Sequence, residues 1–598
     1  MSKKINSENN KRRLLPATIG FTVLAALTRP AHAFEFAAAD GELKGSLDTT
    51  ISYGALWRAQ SRDPANVGIT NGGTARSVND DDGNLNYGRG DLVSSLVKAT
   101  HDLDLSYRNY GFFGRVLYFY DDAVARKDGL PPEAHQRLDS DIRLLDAYAR
   151  GRWDLGGRAL NARLGNQVVS WGESTFIPNG INSINPVDVA RLRAPGSEVK
   201  EGLLPVPMLW ASKALTDNVS LETFYQFRFV KTRLEPRGSF FSTSDIASPG
   251  ADRAFLGFGR TADQHGVFGP QTFVSRMADR DPSNSGQFGA AARTLLPGLN
   301  NTELSVYALN YHSRTPFLSG TKARFVDTNG DGVADALPPS TANYFLEYPE
   351  NIRLFGVGAN SSGPFGIALQ GEYSYRPNQP LQIASSELLL AGLGGANLAD
   401  SGLPNGPGGA GQYVGGYKRV QMHQIQLTAT KSLGRLLAAE QTVFIGEIGF
   451  THLNLPDNVR FAAPGVVLSA LSTPSAFGSV QNGGFATQNS YGYRLLLRSE
   501  YPNAVESVNL TPRIAFSHDV KGSGPTFNEG ARAVTVGVSG TFRQRWQADL
   551  SYTSYYGGKT FGGTDPASNP FGQPSAYATT GNPLKDRDLI AATISYSF

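Results

Sequence analysis

The sequence contains no cysteine, so neither disulfides nor thiolate chemistry can contribute to its stability or function. Beyond its N-terminal segment it also lacks any apolar run of about 18 residues, which excludes membrane-spanning helices. Methionine and histidine are scarce, with four and eight copies, whereas there are 67 glycines, 33 phenylalanines and 24 tyrosines. Abundant glycine and aromatic residues are typical of strands joined by tight turns and flanked by interfacial aromatic girdles.

Residues 1–33 have the composition of a secretory signal peptide. Five basic residues precede an apolar run over 14–27, and the sequence Ala-His-Ala at 31–33 resembles a signal peptidase site. A membrane anchor is the alternative, but the run contains Pro16 and is shorter than the ~20 residues that span a bilayer. We therefore expect residues 34–598 to form the mature protein, as a single domain.

The charge balance and the histidines argue against two classes of function. Segment 1–33 carries six basic residues and one acid, a net +5, so its removal changes the net charge from +3 to −2. No basic excess then remains for a nucleic-acid partner. The sequence has no G-x-S-x-G motif and no metal-ligand spacing of histidines, so we expect no enzymatic activity. A hydrolase stays an alternative, because a barrel can bring Ser and His together from separate strands.

Apolar and polar residues alternate with a period of two along the mature chain. The pattern is clear at 47–58, 219–229 and 546–553 and clearest at 589–598, where Ile590, Ile594 and their apolar neighbours oppose a polar face. Charged residues occur only on the polar faces. Because Arg or Lys on a lipid-facing surface near the bilayer midplane costs ~2–4 kcal/mol, this segregation predicts strands that cross a membrane.

Link lengths favour a closed barrel over a soluble sandwich, the alternative fold. We predict eighteen strands, among them 218–231 and 285–295, with sixteen as the other plausible count. Short turns alternate with long loops, at 59–91, 170–206, 232–284, 313–350 and 377–418. Short periplasmic turns and long external loops are typical of outer-membrane barrels. The expected fold is an all-β, transmembrane antiparallel β-barrel of a Gram-negative outer membrane, with both termini periplasmic.

Four segments carry a resemblance to a known family: SLDTTISYGALW at 46–57, GGTARSVNDDDGNLN at 72–86, LGNQVVSWGESTFIPNGINSINPVD at 164–188 and LLPVPMLW at 203–210. In these the chain resembles a family of bacterial outer-membrane proteins filed under a "domain of unknown function" heading. The resemblance implies a large monomeric barrel that works with a periplasmic lipid-carrier-like protein and with inner-membrane transporters of the resistance-nodulation-division (RND) type. It also implies movement of lipids, sterols or hydrocarbons across the envelope. The segment ending at Phe598 resembles the C-terminal signal read by the barrel assembly machinery.

Segment 170–206 is too long and too apolar for a simple external loop. An irregular segment cannot face lipid, and an external one would leave its Ile, Val and Leu side chains in water. We therefore expect it to enter the barrel as a plug or constriction, with Trp171 and Glu173 at the narrow point and a short helix over 186–193 capped by Asn185. The alternative is a loop that packs only against neighbouring loops.

Charged residues on the predicted inner faces of the strands are the remaining candidates for the lumen. One interpretation is a network of paired charges that stiffens the wall, and the other is a water-filled path that orients a polar head group or an ion. The candidate side chains are Arg115, Asp146, Arg150, Arg152, Arg163, Glu222, Arg228 and Glu372.

Residues 327–335 have the spacing of a calcium-binding loop. Oxygen donors recur at alternate positions, a glycine occupies the sixth, and a backbone carbonyl is available at the seventh. The predicted ligands are Asp327, Asn329, Asp331, the carbonyl of Val333 and Asp335. The bidentate Glu of the twelfth position is missing, because Pro338 stands there. An ordinary Asp/Asn/Gly turn is therefore the alternative, whereas the sequence NDDDGN at 79–84 lacks the alternate spacing.

These features favour an outer-membrane channel or transport protein for hydrophobic or amphipathic molecules. Outer-membrane lipid is the expected surrounding, and Ca²⁺ the only expected cofactor. The alternatives are a general porin, an outer-membrane hydrolase, and an adhesin or assembly scaffold.

Overall fold

The computed structural model describes residues 34–38, 41–263, 272–327, 329–332, 336–394, 409, 411–465, 483–565 and 575–598. The segment assigned to a signal peptide, 1–33, lies outside the described residues. No helix in the described part of the chain is long and apolar enough to cross a membrane.

Eighteen antiparallel strands form a closed barrel, which confirms the predicted fold and strand number. Each strand pairs with the next along the chain, and β18 pairs with both β17 and β1, so the sheet has no open edge. The strands are β1 Leu43–Arg58, β2 Leu92–Tyr107, β3 Tyr110–Asp121, β4 Ser140–Asp154, β5 Ala159–Gln167, β6 Val206–Ala214, β7 Val219–Gln226, β8 Gln287–Leu296, β9 Thr302–Tyr311, β10 Ile352–Ser362, β11 Ile367–Gln382, β12 Tyr417–Gly434, β13 Gln441–Leu453, β14 Asn489–Val505, β15 Val508–Lys521, β16 Ala531–Phe542, β17 Trp546–Gly557 and β18 Leu589–Ser597.

The wall has an apolar outer face and a polar inner face. On β13, Ile448 is 57% exposed on the outside, whereas its neighbour Glu447 on the inside is fully buried. On β16, Val536 faces outward and the Thr535 hydroxyl lies 2.9 Å from that of Thr553 on β17. The alternation seen in the sequence therefore separates a lipid-facing surface from the barrel interior.

Val536→Arg should test this assignment of faces. Val536 is 53% exposed near the middle of β16, so an arginine there would place a charge in lipid and should lower the free energy of unfolding by ~2–4 kcal/mol. The matched control is Thr535→Arg, whose side chain points into the barrel and should cost about 1 kcal/mol, the value of one lost hydrogen bond. Urea unfolding of the purified protein in lipid checks both. Equal losses would contradict the assignment.

Most of the remaining elements lie in the long connections at one end of the barrel, whereas Phe34–Ala38 precedes β1 and Pro364–Gly366 lies in the short turn between β10 and β11. The α-helices are α1 Asp82–Leu85, α2 Asp122–Ala125, α3 Pro132–Leu138, α4 Val189–Arg193, α5 Val199–Gly202 and α6 Ser385–Gly392. Short 3-10 helices lie at Pro64–Asn66, Ile69–Asn71, Pro339–Thr341 and Pro364–Gly366. Short strands lie at Phe34–Ala38, Arg253–Phe255, Phe273–Arg276, Phe317–Thr321, Asn343–Glu347, Tyr413–Val414, Thr560–Asp565 and Ser575–Thr580.

Five of these short strands, drawn from three loops, form a small sheet beside α6. Its strand order is Tyr413–Val414, Phe317–Thr321, Asn343–Glu347, Phe273–Arg276 and Arg253–Phe255. The loops thus share a hydrogen-bonded framework, which we call the loop sheet, instead of extending separately into solvent.

Candidate functional site

The connection between β5 and β6, residues 168–205, binds inward-facing side chains of the barrel wall; we call it the inner connection. Its hydrogen-bond partners lie on strands from distant parts of the sheet, including β2, β4, β7, β11, β12 and β13. Several of these partners are buried polar side chains. Because the residues that alternate with them on the same strands face outward, these side chains point into the barrel.

Glu372 on β11 holds one part of the inner connection through backbone amides. Its carboxylate accepts hydrogen bonds from the N–H groups of Glu173 at 2.6 Å, Ser174 at 3.1 Å and Ile181 at 2.9 Å. Hydrogen bonds to a carboxylate are stronger than those between neutral groups, and they offset the cost of burying the charge. Glu372 was predicted as a lumen residue, and in the structure its carboxylate binds the backbone of the inner connection.

Glu447 on β13 likewise binds three consecutive backbone amides of the inner connection. Its carboxylate accepts from the amides of Thr175 at 2.8 Å, Phe176 at 2.6 Å and Ile177 at 2.8 Å. Sequence reasoning missed Glu447. The available signal was an acid on the polar face of a strand that is otherwise strongly apolar, QTVFIGEIGFTHL.

Side chains of the wall also donate to carbonyl groups of the inner connection. Gln426 donates to the Ile177 carbonyl at 2.8 Å, and Arg376 donates to the carbonyls of Asn179 at 2.9 Å and Gly180 at 2.6 Å. Amide and carbonyl groups of the connection are therefore both satisfied by the wall. The wall thus supplies hydrogen-bond partners to backbone groups that an irregular segment does not pair within itself.

Trp171 is the apolar anchor of the inner connection. Its side chain is 1% exposed and its ring centroid lies 5.1 Å from that of Phe224 and 5.9 Å from that of Tyr307. The indole N–H donates to Glu222 at 2.8 Å. The buried indole thus has both an aromatic surround and a polar partner, as buried tryptophans require.

The second half of the inner connection contacts the opposite part of the wall. Arg143 on β4 pairs with Asp188 at 2.6 Å, and Lys98 on β2 donates to Glu201 at 2.7 Å. Asp188 also caps α4, since its side chain accepts from the Arg191 amide. The expected cap was therefore misplaced by three residues: Asn185 instead accepts from the Val169 amide and donates to neighbouring carbonyls.

Most of the predicted wall charges lie in ion pairs or stacks. Arg115 pairs with Asp102 at 2.7 Å and with Asp146 at 3.1 Å. Further contacts join Arg150 to Asp104, Arg293 to Glu222, and the Arg163 guanidinium to the Trp210 ring. The interpretation of a charge-paired, stiffened wall accounts for these contacts.

Two predicted wall charges have other surroundings. Arg152 is exposed and lines a cavity of about 760 Å³ beside Arg150 and Arg163, at the end of the barrel with short turns. Arg228 does not lie on a strand wall, because β7 ends at Gln226, where its pairing with Gln287 of β8 stops. Arg228 lines a cavity of about 1070 Å³ in the long loops.

An apolar cavity of about 330 Å³ lies between the loop sheet and α6. Its apolar lining includes Leu256, Val274, Leu318, Leu388, Leu389, Leu393 and Val414, and its polar lining includes Asn79 and Asp80. The cavity lies at the end of the barrel that carries the long loops.

The proposed calcium loop is only partly within the described residues. Asp327 accepts from the amides of Asn329, Gly330 and Gly332, and Asn329 donates to Asp331 at 3.1 Å. Val333 and Asp335 lie outside the described residues. A turn stabilised by Asp327 and a cation loop both place the carboxylate in this way, so Ca²⁺ binding here stays a prediction.

Three carboxylates from two loops meet elsewhere. One oxygen each from Asp81, Asp82 and Asp245 lies within 4.8 Å of the others. Burial raises the pKa of Asp81 to about 7, and burial, followed by repulsion from Asp82 and Asp81, raises the pKa of Asp245 well above its usual value.

Comparison with solved structures finds outer-membrane proteins at low similarity. Acinetobacter baumannii OccAB1 is 10% identical, with 95% of this chain and 98% of that chain covered and a TM-score of 0.41. Acinetobacter baumannii OccAB2 is 9% identical, with 93% and 98% covered and a TM-score of 0.40. For a Salmonella typhi OmpF complex with daunomycin the identity is 9%, the coverage 94% and 100%, and the TM-score 0.34.

No curated protein matches the chain. A family model does match, over residues 14–598, and its description is "Protein of unknown function (DUF1302)". The match spans nearly the whole sequence, including all eighteen barrel strands and the inner connection. The chain therefore belongs to the DUF1302 family.

Proposed function

We propose that this protein is an outer-membrane transport channel for hydrophobic or amphipathic molecules, whose lumen the inner connection narrows. The observation that carries the choice of substrate is the apolar cavity among the long loops, which lie on the extracellular side in this proposal. A lining rich in leucine and valine favours an apolar ligand, and a water-soluble solute would gain nothing from it. The inner connection, bound to inward-facing side chains of the wall, supports a constricted path over an open pore.

Binding of a fluorescent apolar probe, N-phenyl-1-naphthylamine, should depend on this cavity. Leu389→Glu places a carboxylate among the apolar side chains and should weaken probe binding about tenfold or more, since burying an uncompensated charge is costly. Leu437→Glu is the matched control, because Leu437 is exposed in the turn between β12 and β13. Fluorescence titration of both variants in detergent measures the effect. Equal affinities for the two would remove the cavity from the proposal.

The proposed partners are a periplasmic lipid-carrier-like protein and an RND-type transporter, with the barrel itself acting as a monomer. In this arrangement the short turns face the periplasm, where Arg152 and the Arg108–Glu42 ion pair are exposed. Crosslinking at Arg108→Cys, in a chain that has no other cysteine, identifies what docks there. Crosslinks only to assembly factors would favour the scaffold function instead.

A further inference from the structure

Two long loops meet at a buried acidic cluster that the transport function does not use. Asp81 and Asp82 lie in the loop between β1 and β2, with Asp82 at the start of α1, and Asp245 lies in the loop between β7 and β8. One carboxylate oxygen of each is within 4.8 Å of the others, although Asp245 is more than 160 residues away in sequence. We call these residues the loop acid cluster.

Two of the three carboxylates are buried and only half satisfied. Asp81 is 1% exposed and Asp245 is 5% exposed. The Oδ2 atom of Asp81 accepts from the Gly68 amide and from Asn71, and that of Asp245 accepts from the Asp82 amide. The Oδ1 atom of each is buried and has no hydrogen-bond donor among the described residues. A buried carboxylate oxygen without a partner costs free energy unless a cation or a donor satisfies it.

The neighbouring arginines do not pair with these two carboxylates. Arg237 pairs with Asp82 at 2.6 Å and with Asp252 at 3.5 Å. Arg587 is directed to the backbone carbonyls of Gly83 and Phe240. Asp81 and Asp245 therefore lie next to Asp82 with no ion pair of their own within the described part of the chain.

We propose that Asp81, Asp82 and Asp245 bind a divalent cation of the Ca²⁺ type that clamps the two loops together. Carboxylate oxygens lie about 2.3–2.6 Å from Ca²⁺, so two ligands of one ion are at most about 4.6–5.2 Å apart, and three oxygens that lie within 4.8 Å of one another can reach the same ion. An all-oxygen donor set suits hard cations such as Ca²⁺, Mg²⁺ and Mn²⁺. The ion supplies the partner that the two Oδ1 atoms lack.

The cation would also brace one wall of the apolar cavity. Asn79 and Asp80 precede the cluster directly, and Ser244 and Ile246 flank Asp245, and all four line the cavity. Asn79 further exchanges two hydrogen bonds with the backbone of Phe255, another lining residue. A cation that fixes these two loops therefore stabilises the cavity, whereas the cation site itself does not require that the cavity bind a transported molecule.

Calorimetric titration of the full-length mature protein with CaCl2 tests the site. Every protein in this experiment carries Asp331→Ala, so that the other predicted calcium loop does not contribute heat. Each is purified in detergent and treated with a chelator before the titration. We expect one saturable equivalent of Ca²⁺, and at least a tenfold weaker affinity when Asp81→Asn and Asp245→Asn are added. Asp217→Asn is the matched control, because Asp217 is an exposed acid in the turn between β6 and β7.

A melting experiment needs no variant of the cluster and covers the case in which the double variant fails to fold. Asp331→Ala protein should melt at a higher temperature in Ca²⁺ than in chelator, because a ligand that binds only the folded state stabilises it. Absence of both the heat and the melting shift would overturn the proposal, as would unchanged affinity in the double variant. Unchanged Ca²⁺ heat in Leu389→Glu, with probe binding lost, would show that the two sites fail independently.

Discussion

Replacing Glu372 and Glu447 together with alanine should convert a barrel whose lumen is narrowed by the inner connection into a steadily conducting pore. Each carboxylate accepts hydrogen bonds from three backbone amides of the inner connection. Hydrogen bonds to charged groups contribute about 1.5–3 kcal/mol each, so the pair outweighs any other polar contact between the connection and the wall. Without them residues 173–181 lose six hydrogen bonds to β11 and β13, the contacts with Arg376 and Gln426 alone are too few to hold the segment in place, and the lumen widens.

Planar-bilayer recording measures this change directly. We expect only small or transient currents from the unaltered protein and a several-fold larger steady conductance from the double variant. Asp104→Ala is the matched control: it also removes a carboxylate from the inner wall, but one that pairs with Arg150 and does not touch the inner connection. Porin-sized steady conductance in the unaltered protein would instead favour the general porin.

The positions of the barrel strands along the chain were predictable from the sequence, because the two faces of each strand meet different solvents. The strand predicted over 285–295 is found at Gln287–Leu296. The strand predicted over 218–231 ends early, at Gln226, although Phe227 and Phe229 continue the alternation. Alternation records which face is apolar, whereas a strand ends where its partner turns away. Here β8 begins at Gln287 opposite Gln226, and no local signal shows this.

Predictions for the candidate site were less complete, because its contacts join residues far apart in sequence. Trp171 and Glu372 stood out as a tryptophan in an irregular segment and an acid on a polar strand face. Glu447 has the same local appearance as other wall acids, and only the fold brings it to Thr175, some 270 residues earlier. Glu173 contributes its backbone amide to Glu372, a role that its side-chain type does not indicate.

The loop acid cluster is a second site whose residues come from distant parts of the sequence. The sequence NDDDGN lacks the alternate oxygen spacing of a calcium loop, and that spacing is the only signal available locally. In the structure the third carboxylate comes from Asp245, in a different loop. Local motifs identify sites built from one segment, whereas this cluster depends on how two loops pack at the mouth of the barrel.

Asp586→Ala should destabilise the protein by about 3–5 kcal/mol, because it leaves the buried Arg58 without its counter-charge. Asp586 and Arg58 are both fully buried and lie 3.2 Å apart, and the Asp586 carboxylate also accepts from the Asp63 amide and from Asn66. These contacts tie the loop after β1 to the residues that lead into β18, where the barrel closes. Loss of the carboxylate therefore affects both the ion pair and the seam between first and last strands.

Urea unfolding followed by tryptophan fluorescence, with the protein in lipid, measures the loss. Asp586→Asn should lose less than Asp586→Ala, since the amide oxygen still accepts from Asp63, although the charge is gone. Asp217→Ala, which breaks an exposed pair with Arg158, should change stability by no more than about 1 kcal/mol. If Asp586→Ala and Asp217→Ala were equally stable, the hydrogen bonds between β1 and β18 alone would suffice to close the barrel, and Arg58 would gain its stability from the backbone carbonyls of Tyr87 and Asn84.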